Sequence, residues 1–177
     1  MDFQKHLDDP LPTGTWTFYY HAAREKRWTS DTFEPIATVK TLRETVQLFH
    51  ELDAKLGQGM FFFMRDPHPP LWENALNIRG GSYSIRAGPD VALDYYKMYT
   101  LSSMMTMTVR NPGDSIVGVT ISPKVLQQGN SQKIGFYVIK IWNKDSSKYK
   151  NSADLMLVNP KLTASDVIYT PHVDKKM

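Results

Sequence analysis

The sequence predicts an α+β domain: a mostly antiparallel β-sheet with its helices segregated to one side. Short runs rich in aromatic and β-branched residues recur along the chain, which is how strands read. Two longer segments instead suit helices, one of them with apolar residues three and four positions apart. The length, 177 residues, suits one domain with one sizeable core.

Taken in order, residues 1–10 (MDFQKHLDDP) are polar and read as a flexible segment ahead of a single domain over residues 11–177. Thr15–His21 (TWTFYYH) and residues 36–40 (IATVK) are strands. Leu42–Leu52 carries Leu42, Val46, Phe49 and Leu52 at helical spacing, with Thr41 as N-cap and Glu44 completing a capping box. Residues 59–65 (GMFFFMR) form a strand apolar enough to be buried on both faces. In 68-HPPLWEN-74, Pro69 and Pro70 lack amide donors and fix φ, which excludes a regular helix or a central strand and puts Trp72 in a surface loop. Gly80 and Gly81 turn the chain into the strand SYSIR, and residues 90–105 suit a helix with Asp90 as cap after Pro89. Ile116–Ser122 and residues 133–142 are strands, a shorter helix is expected over 146–158, and Val167–Tyr169 is a last strand. Helices on one face leave the other face and its loops as the binding surface.

Composition narrows the function. Hydrophobic residues at 41% and charged residues at 22% describe a globular chain, and no apolar run is long enough to span a bilayer. The N-terminus has no signal-peptide core. With zero cysteines there is no disulfide framework and no thiolate metal site, which fits a reducing compartment. A net charge of +3 permits a polyanionic partner, but no clustered basic run exists, so nucleic-acid contact is expected to be local and selective. The five histidines are dispersed, phosphate-cradling glycine motifs are absent, and Asp8–Asp9 sits in the polar N-terminus as solvated charge. The expectation is a binding protein rather than an enzyme, with no cofactor.

Of the four tryptophans, Trp16 alternates with apolar partners and reads as core, and Trp142 ends a strand at the core or the rim of a site. Trp28, in 24-REKRWTSD-31, is flanked by charge and hydroxyls. A single loop indole reads as a lid over a core gap. Two of them in one small domain, with Glu73 directly after Trp72, also read as a stacking site. Two indole faces can sandwich one flat ring, each stack being worth roughly 1–3 kcal/mol, and a cationic ring adds a cation–π contribution. A carboxylate beside the slot accepts two adjacent N–H groups. Guanine offers that pair at N1 and its exocyclic amine, and methylation at N7 makes the base cationic. Trp28, Trp72 and Glu73 together suit 7-methylguanine.

At these residues the chain resembles the messenger-RNA cap-binding initiation factor 4E family. The matching stretches are PL followed by W-x-x-aromatic-aromatic within Pro10–Tyr20, K-R-W at Lys26–Trp28, and P-L-W-E at Pro70–Glu73. They continue with N-x-R-G-G at Asn77–Gly81, the strand from Gly118, and K-I-W at Lys140–Trp142. The resemblance implies a curved antiparallel sheet with helices on its convex back and the cap slot on the concave face. It also implies that Trp28 and Trp72 stack the base, Glu73 holds its Watson–Crick edge, and Trp142 meets the N7 methyl. Basic residues of the last two long strands would hold the phosphates. Lys124 matches the first such position, and Val138 falls where the second belongs. Strand alternation brings Lys140 to the face of Trp142 as a replacement, and the long hairpin 123–133 leaves Lys133 open. His172 and Lys175 match the C-terminal loop that meets the following nucleotides.

On the back surface the resemblance implies an adaptor peptide, a factor 4G-like scaffold or a divergent 4E-interacting protein. Pro10, Leu42, Val46, Phe49 and Leu101 are its candidate contacts. Val46 stands where the family presents a tryptophan, and Tyr19, Tyr83 and Tyr96 also replace tryptophans, marking a divergent lineage of the kind found among trypanosomatid paralogues. The implied function is binding the 7-methylguanosine cap to recruit mRNA for translation, in the cytoplasm, with a nuclear location also open and no membrane partner. The alternatives are a cap-occupying repressor with an altered adaptor surface and, in another class, a carbohydrate-binding module with a flat aromatic platform.

Overall fold

The computed structural model describes residues 2–173. Among them lie strands β1 (Trp16–His21), β2 (Phe33–Val39), β3 (Met60–Arg65) and β4 (Gly81–Ala87). Strands β5 (Ile116–Gln128), β6 (Ser131–Asn143) and β7 (Val167–Pro171) follow, and the helices are α1 (Leu42–Leu52) and α2 (Ala92–Met104). All seven strands join one curved antiparallel sheet in the order β2-β1-β3-β5-β6-β4-β7.

Strand alternation sorts the apolar residues onto two faces. Trp16, Phe18, Phe61, Phe63, Val119, Ile121, Ile139 and Ile141 pack with Leu42 and Phe49 of α1 and Tyr96, Tyr99 and Met104 of α2 in the main core. Phe33, Phe62, Met64, Val117 and Trp142 form a smaller cluster apart from it. Strand β3 contributes to both clusters, as its unbroken apolar run predicts.

Helix α1 begins at its expected cap, Thr41, with only half of the expected capping box formed. Thr41 accepts from the Glu44 amide at 3.2 Å, and the Glu44 carboxylate reaches the Lys40 amide at 2.5 Å, one residue before the cap. Helix α2 differs. It starts at Ala92 after Val91, without a side-chain cap. Asp90 is therefore not the cap: the Gly88 carbonyl accepts the Val91 and Ala92 amides at 3.2 and 3.0 Å, so the backbone closes the first turn itself.

The helix expected over 146–158 is absent; only a 3-10 turn at Ser152–Asp154 forms there. Asp145 accepts from the Ser147 and Lys148 amides at 2.9 and 3.3 Å, a local alternative to helical bonding. Farther on, Leu155 bridges Val109 and the Met156 amide bonds the Thr108 carbonyl, which holds the segment extended. Strands β5 and β6 are longer than predicted, because the 123–133 region continues their ladder to the Gln128–Ser131 pair. Pro123 is accommodated one residue before a register shift at Lys124/Val125.

Candidate functional site

The sheet face opposite the helices brings alternate residues of three strands together: Met60 and Phe62 from β3, Thr120, Ser122 and Lys124 from β5, and Val138, Lys140 and Trp142 from β6. The β1–β2 connection adds Trp28, and the β3–β4 connection adds Pro70, Leu71, Trp72 and Glu73. Together with Phe33 these residues line a cleft of about 460 Å³. A larger hollow of about 750 Å³, beside Val173, has one tyrosine and no tryptophan in its walls.

The two loop indoles are half open, 47% for Trp28 and 49% for Trp72, whereas Trp142 is 6% exposed at the cleft floor. Trp28 stacks on His21 with centroids 4.2 Å apart and planes 2° from parallel. His21 is fully buried, and Phe33 packs against its ring at 4.7 Å.

The Trp72 loop is held through Asn77, which is fully buried. Its Nδ2 donates to the carbonyls of Pro69 and Leu71 at 2.7 and 2.8 Å, and its Oδ1 accepts from His68 Nδ1 at 2.8 Å. The Asn77 carbonyl also accepts from His172 Nδ1 at 2.8 Å, tying the C-terminal segment to the same residue. That bond sets the His172 ring against Trp142 (5.1 Å, 70°) and near Trp72 (6.3 Å, 52°). The carbonyl hub at Asn77 shows in the sequence only as the first residue of the N-x-R-G-G stretch, with no sign of its partners, and the stack of His21 under Trp28 has no sequence signal. His21 looks like one of several scattered histidines.

Charge in the cleft is positive on one wall. Lys140 is held below the usual lysine range, first by loss of hydration and then by Lys124. Burial, with Lys140 adding, lowers His172 from its ordinary value. An anion in the cleft relieves the Lys124–Lys140 repulsion.

The sequence-derived residues thus separate. Trp28, Trp72, Glu73, Trp142, Lys124 and Lys140 line one cleft, as does Val138, which has no charge to offer. Lys133 does not: it lies opposite Leu126 near the hairpin end, exposed and outside the lining. His172 sits beside the tryptophans, and Lys175 lies outside the described residues. On the back, Leu42 and Phe49 are 1% and 4% exposed, so both are core residues with no side-chain surface for a partner. Val46 is exposed, Pro10 is exposed and Leu101 is half-buried. Among the described residues no group of histidine and acidic side chains could hold a metal ion, and no helix is long and apolar enough to cross a membrane.

Several solved structures share the fold. Ascaris suum eIF4E-3, in crystals with an m2,2,7G cap and with an m7G cap, is 20% identical at a TM-score of 0.60, covering 78% of this chain and 75% of that one. C. elegans eIF4E-3, in complex with the 4E-binding protein Mextli, is 14% identical at a TM-score of 0.62, covering 78% of this chain and 77% of that one. No curated protein sequence matches. The model of the family described as eukaryotic initiation factor 4E matches residues 12–175. With nearly its whole length matched, the chain belongs to the eukaryotic initiation factor 4E family.

Proposed function

We propose that this chain binds the 7-methylguanosine cap of mRNA and recruits the message for translation initiation. In this reading the methylated base lies between Trp28 and Trp72, and Glu73 accepts from its N1–H and exocyclic amine. Trp142 meets the N7 methyl, and Lys124 and Lys140 face the phosphates. One observation carries the reading: two half-exposed indoles from separate loops, an acid beside one of them and two lysines all line the same 460 Å³ cleft. A sugar lacks the base's stacking there, and neutral guanine stacks without the cation–π attraction that the methylated base adds.

A partner peptide would dock on the helical back, where Val46 of α1 and Met98 of α2 are 45% and 46% exposed. A short aliphatic side chain in place of an indole offers less contact area, which supports the repressor reading as the alternative. A cytoplasmic location is part of the proposal. A trypanosomatid-type lineage rests only on the altered tryptophan positions.

Titration of intrinsic tryptophan fluorescence with 7-methyl-GTP, 2,2,7-trimethyl-GTP and GTP tests the site. The trimethylated base has lost both exocyclic amine hydrogens and keeps N1–H, so its affinity measures what the second Glu73 bond adds. Quenching is expected to be strong for the 7-methylated compound and weak for GTP. Trp72→Ala is expected to weaken the methylated ligand by roughly 5- to 150-fold, the equivalent of one lost stack. Equal, feeble responses to methylated and unmethylated nucleotide would end the cap-binding reading.

A further inference from the structure

We propose that His21 is a positioning residue for Trp28, fixing the indole wall of the cleft from behind; the inference rests on the cap-binding reading. The two rings stack face to face, 4.2 Å between centroids and 2° from parallel. His21 is fully buried and does not line the cleft, while Trp28 is half exposed and does. One face of the indole is therefore occupied by imidazole, and the other is left for the ligand.

A second contact makes the imidazole more than a filler. His21 Nε2 lies 3.0 Å from the Arg27 carbonyl. A carbonyl only accepts, so Nε2 is the donor in this bond. The other ring nitrogen, Nδ1, is buried and has no hydrogen-bond partner among the described residues. The hydrogen bond ends on the residue immediately before Trp28. His21 thus holds the loop twice, by stacking on the indole and by tethering the backbone that delivers it. Phe33 closes the arrangement, with its ring at 4.7 Å from His21 and 6.1 Å from Trp28, tilted by 52° and 53°.

The sequence around Trp28 supplies little else to hold the indole. In REKRWTSD the neighbours are charged or hydroxylic, and Arg27 pairs with Glu25 and Asp31 on the surface. Without His21 the loop keeps those exposed ion pairs, which are weak anchors, and an exposed 3.2 Å bond from the Thr32 hydroxyl to the same Arg27 carbonyl, but nothing behind the indole face. The slot then has one fixed wall and one mobile wall, and the ligand must order the second on binding.

A graded series separates the two contacts. His21→Phe keeps a stacked ring and loses the tether; His21→Gln keeps a donor and loses the ring; His21→Ala loses both. The dissociation constant for 7-methyl-GTP is expected to rise about threefold in His21→Phe and about tenfold in His21→Ala. The change should nearly vanish when His21→Ala is made in a Trp28→Ala background, because the effect passes through the indole. Acrylamide quenching without ligand supplies an independent readout. In a Trp72→Phe background Trp28 is the one exposed tryptophan among the described residues. Its accessibility should rise from wild type through His21→Phe to His21→Ala. Unchanged accessibility across the series overturns the proposal. So does a tenfold loss in His21→Ala that persists without Trp28, or a loss in His21→Phe as large as that in His21→Ala. If His21→Ala does not fold, the Phe and Gln variants carry the same comparison. Failure of the wild-type chain to bind 7-methyl-GTP would sink the cap reading alone, since the ligand-free quenching series reads the His21–Trp28 contact by itself.

Discussion

Replacing Asn77 with alanine should loosen the loop that carries Trp72 and Glu73. The side chain, fully buried, makes three hydrogen bonds of 2.7–2.8 Å to His68, Pro69 and Leu71. Alanine leaves the His68 donor and two carbonyls without their partner. Water can reach Pro69 and Leu71, which are half-buried, but His68 is only 8% exposed. At about 1–3 kcal/mol per unsatisfied buried group, with the half-exposed carbonyls at the low end, the total is about 2–4 kcal/mol. Confined to the loop, that shifts its docking equilibrium by roughly 30- to 800-fold, and affinity falls once the undocked form dominates. The assay is a pair of curves on Asn77→Ala: urea unfolding and 7-methyl-GTP titration. A weakening of at least about tenfold in affinity, or a stability loss of about 2 kcal/mol, is expected. If both curves superimpose on wild type within about 0.5 kcal/mol, the Asn77 bonds do not hold the loop.

Glu73→Gln should weaken 7-methyl-GTP by roughly 10- to 150-fold, since a charge-assisted bond is replaced by an amide that meets the base's donors with one acceptor. Trp28-dependent quenching should survive at high ligand, and an unchanged dissociation constant would remove Glu73 from the site. Lys140→Met and Lys124→Met should each weaken 7-methyl-GTP more than 7-methylguanosine and flatten the salt dependence, whereas Lys133→Met, outside the cleft, should do neither; a Lys133→Met effect equal to the others would move the phosphate path to the hairpin end. Burial holds His68 and His172 below the ordinary histidine value of 6.5. The unfolded chain then takes up these protons first as pH falls, so this stability is complete above about pH 6.5 and lost as pH drops through the lowered folded values. The urea midpoint should therefore fall on acidification from pH ~7.5 to ~5.5, less so in His172→Asn, and a constant midpoint would refute the assignment. Tyr83→Phe removes a 2.6 Å bond to Asp114, whose carboxyl burial already pushes up. It should cost about 1–3 kcal/mol in urea unfolding without altering the ratio of 7-methyl-GTP to GTP affinity.

Several strands were legible because their apolar runs are short and bounded, and β3 announced burial on both faces through five consecutive large apolar residues. Helix α1 was legible from Thr41, Glu44 and its spacing. Two local readings failed, one to a neighbouring backbone group and one to distant contacts. Asp90 has cap character, yet the Gly88 carbonyl supplies the closure. The stretch after Asp145 has helical length, yet Val109 and Thr108 hold it extended.

The site divides the same way. Sequence by itself determined which chemistry was available: loop indoles at Trp28 and Trp72, an acid at Glu73, and cations on the alternating face with Trp142. Only the tertiary structure decided which of these meet. Strand alternation is local and put Lys140 beside Trp142 correctly, but whether Lys133 reaches the cleft depends on where β5 and β6 turn. Leu42 and Phe49 share a helix with Val46, and only the sheet packed beneath makes two of them core and one surface. His21 is an ordinary residue in sequence, and Asn77 shows there as a motif position without its role. Their partners, Arg27 and Trp28 for one and His68, Pro69, Leu71 and His172 for the other, are gathered by the closing of two loops over one sheet face. A buried donor or acceptor is defined by what surrounds it, and those surroundings do not exist until the chain has folded.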